Sequence, residues 1–362
     1  MYTPLHLAAI AASALENVEI CATRQPFEVT PDFATGGATD SQGRHWIVKL
    51  PRHQVAGVAL EAEAALAPGL IDAISHGQLS FDVVRPRAFT TVQGGGRAMV
   101  YREPYGKFAP IEEIDAHAAR SIGRALGELH ELDPQVYAAA GVPVYDARAW
   151  RDRIATELEE VSLTRKVPTA LLARWDRWLE DDELWRINAV PVHGDLDEDH
   201  VLWANGQISA MVGFGEAHVG DPAEDFVWLA NSLDDDLFDA VTESYAMVRQ
   251  VGGDDYLLER ITLHAEFALA RWLLHGTRIG SRQIIDDAVA MLTELDHSVA
   301  ADPQAYSGPR MRDGGAVAGE DFDSFPDPFP QEFDPAADPA AESFSEDAAR
   351  DPVDETGLTD GR

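Results

Sequence analysis

Residues 189 to 226, AVPVHGDLDEDHVLWANGQISAMVGFGEAHVGDPAEDF, restrict the folds open to this chain more than any other stretch. Helical periodicity lies on both sides of them and stops inside them. Ala189 to Val192 reads as a short buried strand. Val201 to Trp203 and Ile208 to Val212 read as two strands joined by Asn205-Gly206, a strong two-residue hairpin signal. Polar groups are thereby confined to two loops, His193-Gly194-Asp195-Leu196-Asp197-Glu198-Asp199-His200 and Gly213 to Asp221. A hairpin returns the residue after its second strand to the residue before its first. His200 and Gly213 are therefore expected to face one small volume, with Asp195 beside them.

The flanking segments divide into a strand-rich part and a helical part. His45 to Leu50 (HWIVKL) follows the turn Ser41-Gln42-Gly43 and is expected to pair with residues near Asp32 to Thr39. A helix from about Val55 to Leu66 is expected to stop at Pro68-Gly69, and strands near Val83 to Val92 and Arg97 to Arg102 flank a turn at Gly94-Gly95-Gly96. After Pro104, the residues Ile111, Ile114, Ala118, Ile122, Leu126, Leu129 and Leu132 step by three or four, one face of a long helix. Further helical patterns cover Ala147 to Val161, Ala170 to Leu179, Asp236 to Val251, Tyr256 to Leu274 and Ile284 to Val299. The pattern predicts an α+β chain: a small β-rich lobe over 1–103 and a mostly helical lobe over 104–302.

Composition changes once more at the end. Residues 301–362 carry 16 Asp and Glu against 4 Arg, with 8 of the 21 prolines, and Phe322, Phe325, Phe329, Phe333 and Phe344 stand singly among Asp, Pro and Ser. Such a stretch buries too little apolar surface to offset its ordering entropy, so 303–362 is expected to be a disordered acidic tail. Its functional reading is a partner-binding segment; its plain reading is a solubilising appendage. Across the chain 28 Lys and Arg face 63 Asp and Glu, a formal charge of −35, which disfavours nucleic acid and anionic membrane surfaces as partners. Cys21 is the only cysteine and reads as a small buried hydrophobe; no disulfide framework or Cys-based zinc site is possible, and a reducing compartment fits. The apolar run Leu5 to Leu15 is too short to span a membrane and follows no Lys or Arg, so it reads as an amphipathic helix and the protein as cytoplasmic.

His-Gly-Asp, a polar residue five positions after the Asp, a hairpin, then Phe214-Gly215-Glu216 and Gly220-Asp221-Pro222-x-x-Asp225 resemble the signature of the aminoglycoside phosphotransferase family, which has the protein-kinase-like two-lobed fold. Trp175-x-x-Trp178-Leu179-Glu180-Asp181-Asp182 ahead of the motif, and His at position 200, look more like the macrolide 2′-phosphotransferase branch. The resemblance implies transfer of the γ-phosphoryl of ATP or GTP, with Mg²⁺, to a hydroxyl of a small molecule, macrolide- or aminoglycoside-like; the acidity of the body suits a cationic one. Phosphoryl transfer asks a protein mainly for positioning and charge stabilisation. Asp195 is then the candidate base, and Lys49, on a strand after a hairpin, resembles the phosphate-pairing lysine of kinase-like folds. By itself a lysine in an apolar strand is usually a snorkelling edge residue. Its partner by resemblance is Glu63, with Glu61 an alternative on a different helix face, so that only one of them can serve. Asp225 resembles the carboxylate that braces the catalytic loop, His193 reads as a loop-bracing donor, and His218 as exposed.

One departure stands out. Active members place an aspartate, their main metal ligand, where this chain has Gly213. His200 remains as a metal ligand, softer than Mg²⁺ prefers, with Glu216, Asp199 and Asp197 in reserve. A carboxylate introduced at 213 is expected to raise metal-dependent transfer about tenfold or more. The alternative reading is a catalytically degenerate member that binds a nucleotide or small molecule without turnover.

Overall fold

The computed structural model describes residues 2–92, 96–249 and 254–301. The expected turn at Gly94-Gly95 and the acidic tail from 303 onward lie outside the described residues. The N-terminal part is a five-stranded antiparallel sheet in the order β1-β2-β3-β6-β5, formed by β1 (Ile20–Val29), β2 (Phe33–Asp40), β3 (His45–Pro51), β5 (Pro86–Thr91) and β6 (Arg97–Arg102). The hairpin expected around Ser41 to Gly43 is β2–β3, with Thr35 opposite Lys49 and Thr39 opposite His45. Strand alternation decides which residues of β3 do what. Trp46, Val48 and Leu50 pack with Leu7, Ile10 and Ala11 of α1 (Pro4–Ala14). Ile47 belongs to the opposite face, in a cluster with Leu60, Met99 and Tyr101, and Lys49 shares that face.

Leu60 belongs to α2 (Gln54–Ser75), which corrects the expected helix end: Pro68 lies inside it. A proline in a helix interior costs about 3 kcal/mol. Beyond it, Leu70 and Ala73 are buried in the main core, and full burial of a leucine side chain is worth about 1.5–3 kcal/mol. With the residues before it, that packing offsets the lost hydrogen bond. Gly69 is needed for another reason, since a Cβ there would stand 2.7 Å from Val136 Cγ1 of α4 (Gln135–Ala140).

The expected long helix after Pro104 is shorter in the structure. Ile111–Glu113 form a single 3-10 turn, Ile114 is extended, and α3 (Ala116–His130) starts where Asp115 accepts from the N–H groups of His117 and Ala118, both at 2.9 Å. α3 packs on α8 (Asp235–Val248), and a second core joins α5 (Ala147–Leu163), α6 (Thr169–Glu180), α9 (Leu257–Ile279) and α10 (Arg282–Ala301) around Trp150, Trp175, Phe267 and Leu292. Between these helices lie β7 (Val190–Val192), the hairpin of β8 (Val201–Ala204) and β9 (Gln207–Met211), and β10 (His218–Gly220). β4 (Asp82–Val83) runs parallel to β9 and ties the hairpin to the segment before the sheet's last two strands. The described residues thus form the small antiparallel sheet and the helical lobe that the expected protein-kinase-like fold calls for. No helix among the described residues is long and apolar enough to cross a membrane.

Candidate active site

The loop from His193 to His200 leaves β7 and is shaped from below by Asp225. This buried carboxylate accepts from the backbone N–H of His193 at 2.8 Å and of Gly194 at 2.9 Å, and its Oδ2 lies 3.0 Å from His130 Nε2. Burial pushes its pKa up, but the bond to His130 and the neighbouring donors prevail and hold it below the usual carboxylate range. His193 is wholly buried. Burial holds its pKa below the ordinary imidazole value, and a neutral ring fits both contacts. Nε2–H donates to Val212 O at 2.8 Å while Nδ1 accepts from the N–H of Asp195 at 3.4 Å. One ring thereby fixes the start of Asp195 to the end of the β8–β9 hairpin. The Asp195 side chain itself is exposed.

Across the cleft, Lys49 Nζ lies 3.1 Å from Glu63 Oε2 and 4.6 Å above the Phe33 ring. Glu63 is 3 % exposed and its other oxygen accepts from the N–H of Gly213 at 3.0 Å. A single carboxylate therefore spans strand β3, helix α2 and the loop after β9. Glu61 is exposed and forms its ion pair with Arg97, so the two alternatives divide as helical geometry requires.

The hairpin brings His200 and Gly213 together, in closer contact than the spacing suggests. Gly213 has φ +85°, and a Cβ built there would stand 2.1 Å from His200 Cδ2 and 2.5 Å from Nε2. On its other side, His200 Nδ1 lies 2.8 Å from Asp197 Oδ1. Burial pushes the His200 pKa down, while Asp197 and then Asp195 outweigh it and hold it above the ordinary value. Asp197 Oδ1 is also taken by the N–H of Asp199 at 2.9 Å. Asp199 and Glu216 are exposed; burial, then the charges of Asp197 and Glu198, raises the pKa of Asp199, and burial, then the charge of Asp195, raises that of Glu216.

This donor set does not fit a hard divalent cation. Position 213 offers no side-chain oxygen, the His200 ring fills the space where a side chain would project, and the ring's Nδ1 faces Asp197 at 2.8 Å. Among the described residues no group of three or more His, Cys, Asp or Glu side chains could hold a metal ion. Of the residues expected to hold a metal, His200 and Asp197 face each other as an ion pair at 2.8 Å, and Asp199 and Glu216 lie exposed. The gain expected from a carboxylate at 213 is revised for the same reason. Gly213→Asp and Gly213→Ala are expected to destabilise the protein by about 2–4 kcal/mol, from left-handed backbone strain and overpacking. Adding His200→Ala should recover part of the loss. A Gly213→Ala melting curve that overlays the wild type would show that the ring moves aside freely.

Two further side chains differ from expectation. His218 is 7 % exposed instead of solvent-facing, because β10 pairs it with Val192 and stacks it on Trp150 at 4.9 Å between centroids. Its Nε2 lies 3.3 Å from Glu224 Oε1. Cys21, expected buried, is exposed on the edge strand β1.

A family model described as the phosphotransferase enzyme family matches residues 35–257, more than half of the chain. The chain belongs to the phosphotransferase enzyme family. Among curated relatives of this phosphotransferase-family protein, the uncharacterized protein YcbJ of Bacillus subtilis is 29% identical over 55% of this chain and 67% of its own length. Viomycin phosphotransferase of Streptomyces vinaceus is 26% identical over 72% of this chain and 94% of its own. In three dimensions, the macrolide 2′-phosphotransferase MphH from Brachybacterium faecium superposes with a TM-score of 0.66 at 24% identity, over 79% of this chain and 96% of that one.

Sequence reasoning missed the buried groups that hold this family member's site from behind. Asp221 Oδ2 lies 2.8 Å from Arg260 Nε and 3.1 Å from His264 Nε2, and His130 meets both Asp225 and Tyr245. A signal was present for one pair: Arg260 and His264 are four apart on α9, so they share the face carrying Ile261 and Phe267.

Proposed function

We propose that this protein transfers the terminal phosphoryl group of ATP or GTP to a hydroxyl of a small molecule, macrolide- or aminoglycoside-like. The observation that carries the reading is the Glu63 carboxylate shared between Lys49 Nζ and Gly213 N–H, which presents a cation on a rigid strand opposite the Asp195 loop. In this reading Lys49 meets the nucleotide phosphates. The acceptor oxygen attacks phosphorus, the bond to the nucleoside diphosphate breaks, and the hydroxyl proton passes to Asp195. The formal charge of −35 supports a cationic acceptor. The lone cysteine and the nucleotide donor support action in the cytoplasm.

A second reading rests on one observation, the His200 ring seated on Gly213: nucleotide is bound and not turned over. Both are tested by calorimetric titration with ATP and GTP and by mass-spectrometric detection of phosphorylated macrolide and aminoglycoside acceptors, with and without Mg²⁺. Lys49→Ala is expected to weaken nucleotide binding about tenfold, about 1.4 kcal/mol. Unchanged affinity in that variant would remove the role given to the small lobe. Intact nucleotide binding with no phosphorylated acceptor and no nucleotide consumed would leave the second reading standing.

A further inference from the structure

A second cleft lies at the other end of the same sheet strands, behind the connection from β6 to the helical lobe. It encloses about 800 Å³ and is lined by Arg24, Arg44, Arg102 and Lys107, with Glu103 as its one carboxylate. In a chain of 28 basic and 63 acidic residues, four permanent cations in one concavity is an unusual local balance. His45, at the start of β3, reaches the same cleft, and Lys49 is four residues further along that strand, about 13 Å away at 3.3 Å per residue. The cleft is therefore separate from the site around Asp195.

Its charges are only partly neutralised. Arg44 Nε donates to Asp40 at 2.6 Å, and Glu103 Oε2 is shared between Arg24 and His45. Arg102 and Lys107 are exposed and make no ion pair among the described residues. The guanidinium carbons of Arg44 and Arg102 stand 5.7 and 5.5 Å from the centre of the same Trp46 ring, so two like charges are gathered on one indole. Arg44 is compensated by Asp40, whereas Arg102 has no carboxylate partner among the described residues, so the indole carries one uncompensated guanidinium beside a paired one. The walls are fixed as well. Lys107 and Trp203 exchange backbone hydrogen bonds at 3.0 and 2.8 Å, and Ser209 Oγ donates to Tyr105 O at 2.6 Å, which pins the connecting segment to the β8–β9 hairpin.

We propose that this cleft binds a small multivalent phosphate anion, held by Arg24, Arg44, Arg102 and Lys107. Guanidinium forks match the oxygen geometry of phosphate and hold it by charge-assisted hydrogen bonds. Arg102 and Lys107 bring two uncompensated charges, and the paired Arg24 and Arg44 bring further donors, which calls for a ligand of several charges and several oxygens, such as a chain of linked phosphates.

The test is calorimetric titration of the full chain with tripolyphosphate, free of divalent metal, at about 50 mM salt, where screening is weak. Wild type, Arg102→Ala/Lys107→Ala and a charge-matched control on exposed helix positions, Arg148→Ala/Arg282→Ala, are compared, with melting curves confirming that each variant folds. The Arg102/Lys107 variant is expected to bind about tenfold or more weakly, while the control keeps wild-type affinity. Tripolyphosphate should also raise the melting temperature of wild type and control more than that of the Arg102/Lys107 variant. Equal affinity in wild type and the Arg102/Lys107 variant, an equal loss in the control, or no binding by wild type at millimolar ligand would each overturn the proposal. A titration with ADP separates the sources: a second ADP site lost in the Arg102/Lys107 variant assigns the cleft to a nucleotide's phosphates, and its absence assigns the cleft to free polyphosphate.

Discussion

Replacing Asp221 by alanine is expected to destabilise the fold by about 3–5 kcal/mol, the usual consequence of stripping one partner from a buried ion pair. Asp221 and Arg260 are essentially inaccessible to solvent. The carboxylate accepts from Arg260 Nε at 2.8 Å and from the N–H of Ala223 at 3.0 Å, and meets His264 Nε2. After the substitution Arg260 keeps Asp254 and the Leu184 carbonyl but faces an empty space on its Nε side. Asp221→Asn retains the shape and should lose less. Acid titration reads the same group. Burial pushes the Asp221 pKa up, but Arg260 and His264 outweigh it and hold it far below the ordinary value. Its folded pKa being depressed, its contribution is complete above the unfolded pKa of about 3.9 and is lost as pH falls below that toward the folded value. Urea melts of wild type and Asp221→Asn between pH 7 and pH 3 should converge on the acid side. Parallel curves, or an alanine variant within about 1 kcal/mol of wild type, would show that the network carries little of the stability.

Asp195→Ala is expected to lower phosphoryl transfer by about 10²–10⁴-fold, the range typical of a lost general base. Nucleotide affinity and melting temperature should hardly move. The Asp195 side chain is exposed, and the residue braces the loop through its backbone N–H, which donates to His193 Nδ1 and which alanine preserves. That combination distinguishes a proton acceptor from a structural carboxylate such as Asp225, whose loss would release the N–H groups of His193 and Gly194 and lower stability as well. Transfer at the wild-type rate in Asp195→Ala would move the proton elsewhere, and Glu216, whose raised pKa reflects burial and then the charge of Asp195, is the next carboxylate to replace.

What could be read in advance was whatever depends on neighbours in sequence. The alternation of Trp46 to Leu50 put Lys49 on a strand, and the turn at Asn205-Gly206 brought His200 to Gly213, because strand period and hairpin closure are local properties. Whatever depends on distant partners was hidden. The continuation of α2 through Pro68 is decided by burial against the helical core. The burial of His218 follows from a three-residue strand, β10, whose partner lies 26 positions earlier at Val192. In the candidate site, the residue types were legible and the space between them was not. Sequence shows that Gly213 lacks a side-chain oxygen; only the backbone shows that its φ is positive and that an imidazole already occupies the volume a side chain would need.

The two contacts made by Glu63 have a mechanical consequence. Its oxygens hold Lys49 on the sheet and Gly213 on the loop after β9 from one side chain on α2. A tilt of α2 that stretches one contact stretches the other, so closing the cleft and setting the loop at Gly213 amount to a single degree of freedom. The joint depends on the length of one side chain: Asp at position 63, one methylene shorter, would draw its carboxylate back from both anchors at once.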